Sequence, residues 1–203
     1  MAASASCSND CSTSLRNVHP GTDNVTSATA KAVGSTPVTS SDSADKVLAH
    51  PNVQRVRAAL AEAGAHPEIV ALGDSAPTAA AAAEQLGCEV GAIANSLIFD
   101  CDGAPLLVLT SGAHRADVAA LARAAGAASV GRADPTFVRT HTGQPIGGVA
   151  PVGHPAPVRT LVDVWLAKYD QVWAAAGHPH TVFATTFDEL VRVTGGTPVD
   201  VTA

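Results

Sequence analysis

Apolar positions follow two periods along this chain, and the switches between them divide residues 44–203 into alternating elements. Ser43, Ala44 and Asp45 open a helical pattern that Pro51 interrupts; Val53, Val56, Ala59, Leu60 and Ala63 resume it at helical spacing until Gly64. His66–Leu72 reads as a strand, and Thr78–Leu86 as an Ala-rich helix with Gly87 past its end. Ile93–Cys101 and Pro105–Thr110 flank Asp102-Gly103, a dipeptide suited to a tight primed hairpin turn. Ser111 is placed to cap the next helix, whose stripe is Val118, Leu121 and Ala125. Ser129–Val130 is a short strand, Asp134 caps a helix over 135–141, and Val158–Val164 is a strand. Gln171–Ala176 and Thr181–Ala184 pair around Gly177–His180, Thr186 caps Phe187–Val193, and Pro198–Val201 forms a terminal edge. Strands dominate the middle without strict βαβ order. The pattern therefore predicts an α+β fold with a mixed, strongly curved sheet.

Residues 1–43 show neither period. They are rich in Ser, Thr, Ala and Asn, and such a segment buries too little apolar surface to offset its ordering entropy. We expect a disordered tail over 1–43 and a single domain over 44–203. The tail has no apolar core after a basic start, and no apolar run is long enough to span a bilayer. Cys7, Cys11, Cys88 and Cys101 give no disulfide framework. A cytoplasmic protein is the default expectation, with no membrane partner.

Charge narrows the partners. From residue 44 onward ten Lys/Arg stand against fifteen Asp/Glu, a formal charge of −5. That disfavours wrapping a long nucleic-acid backbone such as DNA, but leaves room to grip one nucleotide end. Arg55, Arg57, Arg115 and Arg159 are candidates for phosphate contact, although a solvated face is the better account of any one of them.

A nucleophile–base–acid triad is not evident, nor is a G-x-S-x-G elbow, a Walker loop or G-x-G-x-x-G. Ser96 sits inside a strand pattern, and capping explains Ser111 and His114. His154, His178 and His180 could form an open three-ligand metal site, the last two sharing a strand face at i, i+2. No carboxylate or Cys completes tight ligand spacing, so no metal or other cofactor is expected. The densest signal is Gln144–Asp163, QPIGGVAPVGHPAPVRTLVD, where Gly147, Gly148 and Gly153 stand among Pro145, Pro151, Pro155 and Pro157. Adjacent glycines let a backbone approach a ligand, and prolines hold the loop in one shape. Exposed N–H groups of such a loop donate to a carbonyl or phosphate oxygen; the plainer reading is a turn between strands.

Four blocks in order, GAIANSLIFD, PLLVLTSGAHRAD, TGQPIGGVAPVGHPAPVRTLVD and GHPHTVFATTFDELVRVTGG, resemble the YbaK/prolyl-tRNA synthetase-associated domain family. The resemblance runs from about Val47 to Val199, and its most specific piece is G-x-x-x-P, here Gly147-Gly148-Val149-Ala150-Pro151. It implies a single α+β domain with a curved, barrel-like mixed sheet and surrounding helices. It also implies a hydrolase that removes wrong amino acids from tRNA, acting at the 3′ acceptor end, in trans or beside a synthetase. In that family the G-x-x-x-P backbone engages the carbonyl region and the terminal ribose, and the reaction uses the substrate's own groups or a held water. Carried onto this chain, the catalytic candidates are Asn95, Gly147, Gly148 and His180. The substrate-binding candidates are Ser96, Val149, Ala150, Pro151 and His154.

Two positions depart from the family. Its I-x-K-S/T-L lysine falls on Asn95, which hydrogen-bonds but carries no charge. Its late G-L-D-hydrophobic-E has no acid here, where the chain reads His180-Thr181-Val182-Phe183. A catalytically silent module binding an aminoacyl-adenosine or a tRNA end is the alternative these departures raise.

Overall fold

The computed structural model describes residues 41–74, 76 and 78–202. The tail expected over 1–43 lies outside the described residues except for its last three, which already belong to the first helix. Helices are α1 (Ser41–Leu48), α2 (Pro51–Glu62), α3 (Ala79–Leu86), α4 (Val118–Ala125), α5 (Pro135–Thr142) and α6 (Phe187–Thr194). Strands are β1 (Ile69–Ala71), β2 (Ile93–Cys101), β3 (Ala104–Ser111), β4 (Val130–Arg132), β5 (Arg159–Asp163), β6 (Val172–Ala175), β7 (Thr181–Thr185) and β8 (Thr197–Val199).

Local chemistry sets most of the boundaries. Thr78, Asp134 and Thr186 cap α3, α5 and α6 through side-chain oxygens that accept backbone N–H groups. The β2–β3 turn places Asp102 at φ 52° and Gly103 at φ 86°, as a primed turn requires. Asp102 does more than turn the chain. Its carboxylate accepts from the amides of Ala128 and Ser129, which anchors the hairpin to the start of β4 and holds its pKa below the usual carboxylate range. Helix α4 is capped by Asp117, not by Ser111 as expected. Ser111 is instead the buried last residue of β3, its hydroxyl donating to the Gly91 carbonyl and its N–H to Asp163. Both partners are distant in sequence, which local pattern cannot foresee.

The strands form one mixed sheet of order β1-β7-β6-β2-β3-β5-β8, with β4 added beside β2. β2–β3, β2–β4, β6–β7 and β1–β7 are antiparallel, whereas β2–β6, β3–β5 and β5–β8 are parallel. The sheet is curved but open, ending at β1 and β8. Both of its faces are covered. Leu107 and Leu109 join Val53, Val56 and Leu60 of α2 and Phe183 in the larger core, while Leu106, Val108 and Phe99 meet Leu121 and Ala125 of α4. Burial on both sides is why β3 reads as a continuous apolar run instead of alternating. A third small core joins Ala82 and Ala83 of α3 to Ile93.

One irregularity of the sheet positions the site. On its outer edge β2 pairs with β6 only at Ile93 and Ala94, and with β4 only from Phe99 to Cys101. Asn95–Ile98 therefore have no strand neighbour on that side among the described residues.

Candidate functional site

A cavity of about 220 Å³ opens at that gap. β2 supplies Ile93 to Leu97, α3 and its cap supply Thr78, Ala79 and Ala82, and the loop after α5 supplies Ile146, Gly147 and Val149. Trp173 and Ala175 of β6, with Pro179, Thr181 and Val182, complete the wall. None of the lining residues is ionisable. The polar groups are the Asn95 carboxamide, the Ser96, Thr78 and Thr181 hydroxyls and the loop backbone. Ser96 Oγ is buried without a hydrogen-bond partner among the described residues, and no base lies against it, so nothing activates it as a nucleophile. The Thr181 hydroxyl donates to the His178 carbonyl.

The structure brings together five of the nine expected site residues, Asn95, Ser96, Gly147, Val149 and, just behind the wall, Gly148. Gly147 has φ +85°, is exposed, and an added Cβ would meet nothing within 4 Å. Gly148 is the reverse. Its N–H donates to the Pro145 carbonyl at 3.0 Å, and an added Cβ would lie 2.7 Å from the carbonyl carbon of His178. The Gly148 N–H is thus already used by a turn within the loop. The amides on either side, at Gly147 and Val149, are engaged by no described residue.

The other four expected residues do not line the cavity. Ala150 is fully buried and its N–H donates to Oε1 of Gln144 at 2.6 Å. Pro151 and His154 line a separate depression with Val193 and Thr194. His154 Nε2 donates to the Ala150 carbonyl at 2.9 Å, its Nδ1 has no partner among the described residues, and burial pushes its pKa below the ordinary histidine value. His180 sits between two lining residues without lining the cavity itself; its N–H donates to Nδ1 of His178 and its carbonyl accepts from Leu72. His178 and His180 occupy the β6–β7 turn, not a strand face, with ring centroids 5.5 Å apart. A third ring, His50, stands 5.0 Å from His178. Desolvation, then the neighbouring charges of His50 and His180, push the His178 pKa down. His154 lies apart from them, so the three-ligand constellation is not assembled. No group of three or more potential metal ligands occurs among the described residues.

Two of the arginine candidates are occupied structurally. The Arg159 guanidinium donates to the Ala125 carbonyl at the end of α4, and Arg55 donates to the Asn52 side chain. Sequence reasoning missed Gln144, Ile146, Leu97 and Trp173. Gln144 is buried, and its amide bridges the Ala150 N–H to the Val152 carbonyl, fixing the loop from within. Its one visible signal is a polar residue opening a Gly/Pro stretch. Ile146 is 58% exposed at the cavity mouth, which an apolar side chain on a surface loop could have flagged.

The cavity is thus lined by neutral groups and opens at a gap in the strand pairing. The model of the aminoacyl-tRNA editing domain family matches residues 74–193, more than half of the chain, and the chain belongs to that family. It is an aminoacyl-tRNA deacylase, a hydrolase that removes the amino acid from mischarged tRNA. A crystal structure described as a candidate trans-editing enzyme for prolyl tRNA synthetase is 39% identical, with TM-score 0.72 over 76% of this chain and 98% of that one. A scaffold used for epitope backbone grafting is 38% identical, with TM-score 0.71 over 75% and 98%. The hypothetical protein APE2540 is 28% identical, with TM-score 0.68 over 72% and 98%. The search of curated proteins found no match. No helix among the described residues is long and apolar enough to cross a membrane.

Proposed function

We propose that the protein edits in trans within the prolyl-tRNA synthetase system, and that residues 44–203 form its catalytic unit. The terminal adenosine of the tRNA 3′ end enters at the mouth formed by Leu97 and Ile146, and the aminoacyl ester lies between Asn95 and the Gly147–Val149 backbone. The observation that supports this most is that Asn95 and Gly147 line one cavity in which no lining side chain is ionisable.

Such a cavity favours stabilising charge that develops on the carbonyl oxygen over general acid–base work by a side chain. The amides of Gly147 and Val149, with the Asn95 carboxamide, donate to the tetrahedral oxyanion; a preorganised donor of this kind is worth roughly 2.7–4 kcal/mol. As water adds to the carbonyl carbon, its proton passes to the substrate's own free amine or to a second water, and the ribose oxygen takes a proton as the ester C–O bond breaks. Ser96 and Thr181 meet the amino-acid portion. Ala150, Pro151 and His154 hold the loop's shape, and His180 shapes the turn that carries Pro179. Small and uncharged side chains fit the apolar lining, and size alone discriminates a methylene by about 1–3 kcal/mol.

Deacylation of a panel of mischarged tRNAs tests this. Wild-type protein should hydrolyse the ester of a small amino acid on tRNA, and Asn95→Ala should lower kcat about 100-fold or more. Absence of hydrolysis above blank on every substrate, with an aminoacyl-adenosine analogue still retained, would leave only a binding module. Asn95→Ala at the wild-type rate would remove the strand from the chemistry.

A further inference from the structure

We propose that Thr110 is a positioning residue for Asn95, an inference that rests on the role given to Asn95 above. The β2–β3 register sets Asn95 directly opposite Thr110. Directly paired residues of an antiparallel ladder share one face, with Cβ atoms about 4.5–5.5 Å apart. Thr110 is fully buried, and its Oγ1 has no hydrogen-bond partner among the described residues. The Asn95 carboxamide, lining the cavity, is likewise engaged by no described residue. Two short polar side chains thus stand side by side, one buried without a partner and the other facing the substrate space.

A buried hydroxyl left unpaired is costly, and native structures rarely keep one without a reason. Rotation of Asn95 about its side-chain torsions brings Oδ1 to the Thr110 hydroxyl. Catalytic hydrogen bonds often tighten in this way only when substrate is bound. The polarity follows from the chemistry. With Thr110 Oγ1–H donating to Oδ1, the Nδ2 end is turned toward the substrate space and one of its hydrogens donates to the ester carbonyl. The flipped amide would instead aim an acceptor lone pair at a developing negative charge. A carboxamide donates from one end and accepts from the other, so it needs a partner to choose its face.

Steady-state deacylation by Thr110→Val and Thr110→Ser variants of the full chain tests the assignment, with thermal unfolding as a control. Thr110→Val should lower kcat about five- to tenfold, the effect of one neutral hydrogen bond, with KM unchanged. Thr110→Ser should restore the rate. In an Asn95→Ala background Thr110→Val should add no further loss, and its unfolding midpoint should equal or exceed that of wild type. A Thr110→Val enzyme at full rate, a Thr110→Ser enzyme as slow as Thr110→Val, or an additive loss in the Asn95→Ala background would each overturn the proposal alone. A wild-type protein that hydrolyses no mischarged tRNA would overturn the parent reading and this one with it.

Discussion

The loop after α5 has a tip and a root, and the two use the same residue types for opposite ends. At the tip, Ile146 and Gly147 are exposed at the cavity mouth. At the root, Gly148 through Val152 are buried. Four hydrogen bonds hold that root: Gly148 N–H to Pro145, Ala150 N–H to Gln144, Gln144 Nε2 to Val152, and His154 Nε2 to Ala150. Proline content alone does not make this loop stiff. Stiffness comes from side chains that satisfy the root's backbone, so that the Gly147 and Val149 amides are held without being used. A cradle for an oxyanion needs that division, since donors already consumed cannot bind and donors left loose must be ordered at each turnover.

The sharpest way to break this comparison is to add one methyl group at each of the two adjacent glycines. Gly148→Ala would drive a Cβ to 2.7 Å from the His178 carbonyl carbon and 2.8 Å from Pro179 N, and backbone atoms must move to admit it. Overpacking of this kind costs about 1–3 kcal/mol, and the shift displaces Pro179, a wall of the cavity. We expect a lowered unfolding midpoint together with near-complete loss of deacylation. Gly147→Ala meets no atom, and its penalty is the φ of +85°, about 1–2 kcal/mol for a residue with a Cβ. It should fold and keep measurable activity. If Gly147→Ala proves the more damaging to stability, the division into tip and root is wrong.

Next in size is Gln144→Leu, which keeps the volume and removes both bonds of the bridging amide. The Ala150 N–H and Val152 carbonyl are left unpaired in a buried setting, at a cost of about 1–3 kcal/mol. Because the root orders the tip, kcat should fall even at temperatures where the variant remains folded. Denaturant unfolding beside single-turnover deacylation separates the two effects. A variant that loses stability but keeps its full single-turnover rate would show that the tip holds its shape unaided.

What the sequence made legible was local. Caps at Asp134 and Thr186 and the Asp102-Gly103 turn act within a few residues, so composition and spacing expose them. Ser111 misled because its partners, Gly91 and Asp163, are 20 and 52 residues away. The parallel pairings of β2 with β6 and β3 with β5 are equally non-local, and the gap at Asn95–Ile98 exists only as their by-product. Asn95 and Gly147 entered the site through a family resemblance, and the fold then placed them on one cavity. Gly148 and Gly147 could not be told apart beforehand, because one residue type serves both close packing and an open backbone. Thr110 lay hidden inside an apolar strand, where only cross-strand register shows what it faces.

The mildest perturbation is a proton. Desolvation lowers the pKa of His154 at the root; at His178, behind the wall, desolvation acts first and the charges of His50 and His180 add to it. Each binds a proton less readily folded than unfolded, so the unfolded chain takes up more protons on acidification. Stability is therefore full above the ordinary histidine pKa of about 6.5 and declines as pH falls through that value toward the lower folded ones. Protonation at His154 places the new proton on Nδ1, a buried ring atom without a partner among the described residues, although its Nε2–H can still donate to Ala150. At His178 it takes away the lone pair that accepts the His180 N–H, but the ring lies less deep than that of His154 and solvent screens its charge more. The unfolding midpoint should accordingly be lower at pH 5 than at pH 7.5, and His154→Gln should remove more of that drop than His178→Gln. The opposite ranking would move the acid-sensitive point from the root of the loop to the histidine cluster behind its wall.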